Sequence, residues 1–210
     1  MSRPLIIGHR GFAGRYPEIS LLAKKAAVAC GADGVEVDLR PCREGVWVCH
    51  HDRKRHGRPL TSWSLADLRR EEVPPLALVL EAVPEDRFLF LEVKPLSTRA
   101  LLPLVDPLVR LVEGRARLRV LSSSLAVLAV LRMALPAAPC SWVVTRVPER
   151  LPPGLELSPH HRLVESLRHL PVPLHPWTVN RPQRLRNLSA LGVASLTTNY
   201  PDRALEVLGA

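Results

Sequence analysis

Two short apolar runs carry ionisable residues spaced two apart. Gly34-Val35-Glu36-Val37-Asp38-Leu39 holds two carboxylates, and Phe88-Leu89-Phe90-Leu91-Glu92-Val93-Lys94 holds a carboxylate and an amine. Both runs read as β-strands, in which residues i and i+2 share a face. A lone carboxylate is costly to bury unless it is paired or bound to a metal. Two strands that bury charge therefore predict a polar site at the end of a sheet, built around a cation. Gly8-His9-Arg10-Gly11 and His50-His51-Asp52 add imidazoles and a guanidinium. Glu36, Asp38 and Glu92 form an oxygen-rich set that suits Mg²⁺ or Ca²⁺. Arg10 and Lys94 are cations fit to hold a phosphate. His9 and His51 supply imidazoles, the side chains best suited to passing protons. A divalent metal, a cationic clamp and a pair of imidazoles are the parts of a hydrolytic site for a phosphate ester. Taken singly, each residue has a blander reading: a solvated strand edge, an interior ion pair or a loop hydrogen bond. Taken together, at strand ends, the catalytic reading is preferred.

The elements that must position these residues alternate along the chain. Strands are expected at Leu5 to His9, Gly34 to Leu39, Phe88 to Lys94, Arg119 to Ser123, Cys140 to Thr145, Leu155 to Ser158, Pro173 to Val179 and Ala194 to Thr198. Helical patterns lie between them, at Glu18 to Cys30, Pro75 to Ala82, Leu101 to Glu113, Leu125 to Ala134, His161 to His169 and Pro182 to Leu191. Such alternation implies a parallel sheet covered by helices. Eight parallel strands predict an α/β protein, a (β/α)₈ TIM barrel. A doubly wound open sheet is the alternative, but no GxGxxG loop follows the first strand. A further strand, Val46 to His50, follows the second after only six residues, which suits an antiparallel hairpin and not a crossover. It belongs to a small insertion over about residues 40–75, with a short helix at Ser64 to Arg70. One domain over residues 1–210 is expected. Barrel residues at the C-terminal strand ends face the active site. His9, Glu36, Asp38, Glu92 and Lys94 fall there, and His51 follows the added strand.

Composition narrows the classes. The chain has 210 residues, 47% of them hydrophobic, with a net charge of +9. No apolar run is long enough to span a bilayer, and the start lacks a secretory signal pattern, so a cytoplasmic protein is expected. Cys30, Cys42, Cys49 and Cys140 show neither zinc-site spacing nor a disulfide framework. The positive charge is mostly arginine and scattered, and aromatic residues make up 4% of the chain. A solvated arginine-rich surface is expected rather than a nucleic-acid groove.

These residues resemble the glycerophosphodiester phosphodiesterase family, whose (β/α)₈ barrel is shared with phosphatidylinositol-specific phospholipases C. The family's HRG appears as His9-Arg10-Gly11, and its PENT as Pro17-Glu18-Ile19-Ser20 with two replacements. GAD-x-x-E-x-D appears whole as Gly31 through Asp38, HD as His51-Asp52, E-[IV]-K as Glu92-Val93-Lys94 and WTVN as Trp177-Thr178-Val179-Asn180. The closing motif runs from Gly192-Val193 through Thr198-Asn199-Tyr200-Pro201, with Asn199 where the family has Asp. The resemblance implies hydrolysis of glycerophosphodiesters to glycerol 3-phosphate and an alcohol. It implies His9 and His51 as general acid and base, Glu36, Asp38 and Glu92 as metal ligands, and Arg10 and Lys94 as phosphate binders. Trp177 is implied to line the pocket for glycerol. Ile19, Asn199 and a short insertion after His51 depart from the pattern and point to an unusual substrate preference.

The partner expected is a small glycerophosphodiester, with no nucleic acid and no stable membrane insertion. Competing readings are a phospholipase-like enzyme on intact lipids, which an apolar rim would favour, and a non-catalytic basic barrel that binds anions or nucleic acid.

Overall fold

A computed structural model describes residues 3–18 and 20–209 of the chain. Its strands are β1 (Leu5–Gly8), β2 (Gly34–Pro41), β3 (Trp47–Cys49), β4 (Lys54–Arg55), β5 (Arg58–Pro59), β6 (Phe88–Val93), β7 (Leu118–Ser122), β8 (Cys140–Val144), β9 (Glu156–Pro159) and β10 (Ser195–Thr198). The α-helices are α1 (Leu21–Ala29), α2 (Leu65–Arg70), α3 (Leu76–Ala82), α4 (Thr98–Val112), α5 (Leu125–Ala134), α6 (Val164–Leu167), α7 (Pro182–Ala190) and α8 (Pro201–Leu208).

The barrel strands pair in parallel in the order β10-β1-β2-β6-β7-β8-β9. The expected strand at Pro173 to Val179 is an irregular stave. It bridges β9 through Leu157–Leu174, and the residue just after β9 through His160–Trp177. On its other side Leu174 O and Pro176 O accept from Ala194 and Thr197 N at 2.9 and 3.0 Å, and Val179 N donates to Thr197 O at 2.8 Å. Pro173 and Pro176 lack the N–H groups that a regular ladder needs. The stave still closes the ring, and the fold is the expected (β/α)₈ barrel.

Helices start where serine can cap them. Ser20, Ser64, Ser97 and Ser124 each accept a hydrogen bond from the backbone N–H three residues on. The pattern expected from His161 to His169 is one 3₁₀ turn followed by the single turn of α6. Sequence reading passed over α8, although Pro201 begins it, Asp202 lies in its first turn and Gly209 ends it in the left-handed region.

Period two along β2 and β6 sorts their side chains. Val35, Val37, Leu39, Leu89, Leu91 and Val93 face outward into a buried cluster with Leu76, Val79, Leu101 and Leu108 from the helices. Burying each such side chain contributes roughly 1.5–3 kcal/mol. The other set, including Glu36 and Asp38, points into the barrel. β3 pairs antiparallel with the end of β2 (Leu39 with Cys49, Pro41 with Trp47), as expected for the insertion. His50 N donates to Asp38 O at 3.0 Å, which sets the His50–Asp52 loop beside the mouth of the barrel.

Candidate active site

The mouth is organised by the turn after β1. His9 N donates to Thr198 O at 2.8 Å and ties the ends of β1 and β10 together. Arg10 and Gly11 then take φ of +50° and +86°. A Cβ on Gly11 would lie 2.5 Å from the Ala23 backbone, so glycine is required on both steric and conformational grounds. The turn aims the Arg10 N–H at Glu36 Oε2, 3.0 Å away. The Arg10 Nη1 donates to Glu18 Oε2 at 2.7 Å, and its Nε lies 2.9 Å from Asp38 Oδ2 without hydrogen-bond alignment.

Register brings the carboxylates together. Asp38 on β2 lies opposite Glu92 on β6, and Glu36 sits one pleat below Asp38. One oxygen from each of Glu36, Asp38 and Glu92 falls within a span of 4.8 Å. Lys94 Nζ bridges Asp38 Oδ1 and Glu92 Oε1, both at 2.6 Å. Glu36, Asp38 and Lys94 are buried. Burial alone would raise the Asp38 pKa, but Lys94 and Arg10 outweigh it and hold the carboxyl low. Burial and the charges of Asp38 and Glu92 push Glu36 well above the usual carboxylate range. With all three ionised, Glu36, Asp38 and Glu92 outnumber the two cations Arg10 and Lys94 by one charge, and without a further cation that excess drives Glu36 toward its neutral form. Glu36 Oε1 is buried with no hydrogen-bond partner. An oxygen-only donor set with surplus negative charge and an orphaned carboxylate oxygen fits a hard divalent cation.

His9 Nδ1 lies 2.7 Å from Asn199 Oδ1, and its Nε2 lies 4.0 Å from Glu36 Oε2. An amide oxygen can only accept, so Nδ1 carries the proton and Nε2 is left with its lone pair. Burial and the adjacent Arg10 push His9 down to about 4. His51 is half-exposed, and its Nδ1 lies 2.8 Å from Asp52 Oδ1. Both imidazoles line one cavity of about 80 Å³ with Arg10, Glu36, Glu92, Lys94 and Trp177. Trp177 is fixed there by its indole N–H, which donates to Ser158 O at 2.8 Å. Of the residues given a role in acid–base transfer, cation binding or substrate binding, all but Asp38 border this cavity, and Asp38 is joined to it through Lys94 and Arg10. Ile19 lies outside the described residues.

Sequence reading missed three groups. Asn199, in the sequence only a departure from the family's Asp, is the side chain that orients His9. Asn180 anchors it, accepting from Asn199 N at 2.9 Å. Lys24 on α1 is almost wholly buried and donates to Glu18 O at 2.5 Å, supporting the residue that holds Arg10. Its signal was a lysine on the buried stripe Ala23, Lys24, Ala27.

Asn199→Asp tests the orienting contact. A carboxylate 2.7 Å from Nδ1 favours the imidazolium, and opposite charges at such range shift a pKa by about 1–3 units. The His9 titration, followed by NMR, is expected to move upward. An unmoved titration would count against the contact.

The fold and this site define a (β/α)₈-barrel protein with a carboxylate, lysine and imidazole cluster at the C-terminal mouth. The glycerophosphoryl diester phosphodiesterase family model matches residues 9–109. A Bacillus altitudinis glycerophosphodiester phosphodiesterase is 27% identical over 96% of this chain and 97% of its own length. A Parabacteroides distasonis glycerophosphodiester phosphodiesterase structure has a TM-score of 0.86 at 21% identity, covering 99% of this chain and 97% of that one. An Oleispira antarctica phosphodiesterase, solved with its product sn-glycerol-3-phosphate, has a TM-score of 0.85 at 20% identity, covering 99% and 98%. The chain resembles the glycerophosphoryl diester phosphodiesterase family, by the family model over residues 9–109 and by relatives along its whole length.

Proposed function

We propose that the chain hydrolyses glycerophosphodiesters to glycerol 3-phosphate and an alcohol, using a divalent cation. The observation that carries this reading is the convergence of Glu36 and Glu92 with His9, His51 and Lys94 in one cavity, with Asp38 joined to it through Lys94. Glu36, Asp38 and Glu92 would hold Mg²⁺ or Ca²⁺. When bound, the cation supplies positive charge that stabilises the phosphoryl oxygens and acidifies a coordinated hydroxyl or water. Lys94 and Arg10 offer N–H donors to the non-bridging phosphate oxygens. Trp177 gives the glycerol end an apolar wall. His9, neutral and with Nε2 unprotonated, takes a proton from the attacking water, whose oxygen bonds to phosphorus as the bond from phosphorus to the alcohol oxygen breaks. An anionic diester bound beside His9 raises its pKa from about 4 toward the working range of a base. His51, oriented by Asp52, gives a proton to the departing alcohol. No helix among the described residues is long and apolar enough to cross a membrane, which suits a small diester as substrate.

The reading is tested by thermal unfolding with Mg²⁺ or Ca²⁺, alone and with glycerol 3-phosphate. A ligand that binds only the folded state raises the midpoint. The cation is expected to raise it, glycerol 3-phosphate to raise it further, and Glu36→Gln to abolish the first effect. A wild-type midpoint that ignores both ligands would overturn the reading.

A further inference from the structure

His51 borders the catalytic cavity and also a second one, of about 240 Å³, built by the insertion. Trp177, the wall for the glycerol end, lines only the first of these two. The departing alcohol oxygen has to reach His51, so the alcohol half of a bound diester extends from the first cavity toward the second. A cleft that also touches His51 holds only about 10 Å³, room for no more than a water. The loop that carries His51 is held from both sides, by His50 N donating to Asp38 O at 3.0 Å and by Arg40 Nε donating to His51 O at 2.8 Å.

Most charged groups around the second cavity already have partners. Glu18 takes Arg10 at 2.7 Å, and Asp52 takes His51 at 2.8 Å. Arg55 donates to Glu71 Oε2 at 3.0 Å, and His56 Nε2 lies 3.0 Å from the same oxygen. Lys54, exposed on the β4–β5 hairpin, forms no ion pair among the described residues. The uncommitted charge in the lining is therefore an ammonium. His50 lines the cavity as well and is 7% exposed. It has no part in the acid–base or cation machinery described above. Its Nδ1 lies 3.0 Å from Asp52 O. A carbonyl can only accept, so Nδ1 carries the proton. Burial lowers the pKa of the ring and keeps it neutral. Nε2 is then an acceptor, with no hydrogen-bond partner among the described residues.

We propose that this cavity is the subsite for the alcohol half and selects polyhydroxy alcohols, with His50 Nε2 accepting from one alcohol hydroxyl and the Lys54 ammonium donating to another. The favoured substrates are then glycerophosphodiesters of polyols such as inositol. The proposal rests on the hydrolase reading above, which places the departing oxygen at His51. A hydroxyl both donates and accepts, and the lining offers a free imidazole nitrogen and carboxylate oxygens beside an ammonium. A quaternary ammonium such as choline can do neither. Its recognition uses aromatic faces, yet no Phe, Tyr or Trp lines the cavity, and Lys54 repels it. Sites for drug-sized ligands run to about 300–1,000 Å³, so this smaller cavity suits one headgroup and no acyl chain.

The test compares hydrolysis of glycerophosphoinositol and glycerophosphocholine. A site built to bond a substrate hydroxyl rejects an analogue that lacks it, so the wild type is expected to favour glycerophosphoinositol about tenfold or more in kcat/KM. His50→Asn keeps a donor near the Nδ1 position and removes the Nε2 acceptor. His50→Gln keeps an acceptor near Nε2 and drops the bond to Asp52 O. The preference is expected to fall about fivefold in His50→Asn, through KM, and to persist in His50→Gln. The reverse order would make His50 merely structural and overturn the proposal. Equal kcat/KM for the two substrates in the wild type, or a preference that survives in His50→Asn, overturns it too. Lys54→Gln is expected to raise kcat/KM for glycerophosphocholine and so narrow the preference. Should His50→Asn not fold, a preference unchanged in Lys54→Gln overturns the proposal. If the folded protein hydrolyses neither diester, the hydrolase reading fails, and calorimetry with the two intact diesters decides the subsite. Tighter binding of glycerophosphoinositol that weakens about fivefold in His50→Asn upholds it, and equal binding or none overturns it.

Discussion

His9→Ala and His51→Ala are each expected to lower kcat by two to four powers of ten, the range that proton transfer by a positioned side chain contributes. Neither side chain holds the fold together. His9 makes one side-chain hydrogen bond, to Asn199, while the β1 end is held by backbone bonds such as His9 N to Thr198 O. His51 is half-exposed and pairs with the exposed Asp52. Thermal midpoints should therefore stay near the wild type while turnover collapses. The double variant is expected to lose little more than either single one, because base and acid act together in one displacement and the loss of either already disables it. The measurement is steady-state hydrolysis of glycerophosphocholine alongside a melting curve. Either variant retaining more than a tenth of wild-type kcat would break the assignment of acid and base to this pair.

Lys94→Ala should damage both stability and catalysis. Its ammonium sits 2.6 Å from Asp38 and from Glu92, and the residue is buried. Removing one partner of a buried pair leaves uncompensated charge and costs about 3–5 kcal/mol. Here the two carboxylates lose their shared cation while Glu36 already competes for a proton. Removing one electrostatic donor from a reacting centre costs about 10²–10³ in rate. A divalent cation bound by the exposed carboxylates should restore much of the melting temperature of Lys94→Ala. It should not restore kcat/KM, since no ammonium faces the phosphate. An unchanged kcat/KM in the folded variant would remove Lys94 from the phosphate site. A midpoint unmoved by cation would mean that the carboxylates do not act as a cation site.

The legible part of this protein is the part built from regular strands. Glu36, Asp38, Glu92 and Lys94 could be placed on one face because period two in a strand is fixed by backbone geometry. Their meeting across β2 and β6 followed once the two strands were taken as barrel neighbours. The eighth stave was harder, because Pro173 and Pro176 break the ladder while Leu174 and Val179 keep the apolar signal of a strand. Its place in the ring depends on hydrogen bonds to β10, some twenty residues on. The last helix was readable from Pro201, Asp202 and Gly209 and was passed over. Asn199 as a partner of His9 was not readable, because the contact joins residues 190 positions apart across the closure of the barrel.

The central claim is tested most directly by release of glycerol 3-phosphate from glycerophosphocholine and glycerophosphoethanolamine, with Mg²⁺, with Ca²⁺ and with EDTA. Release that requires a divalent cation, stops with EDTA and falls at least a hundredfold in His9→Ala is the predicted result. No release with either cation from folded protein, or release that EDTA leaves untouched, would contradict the account.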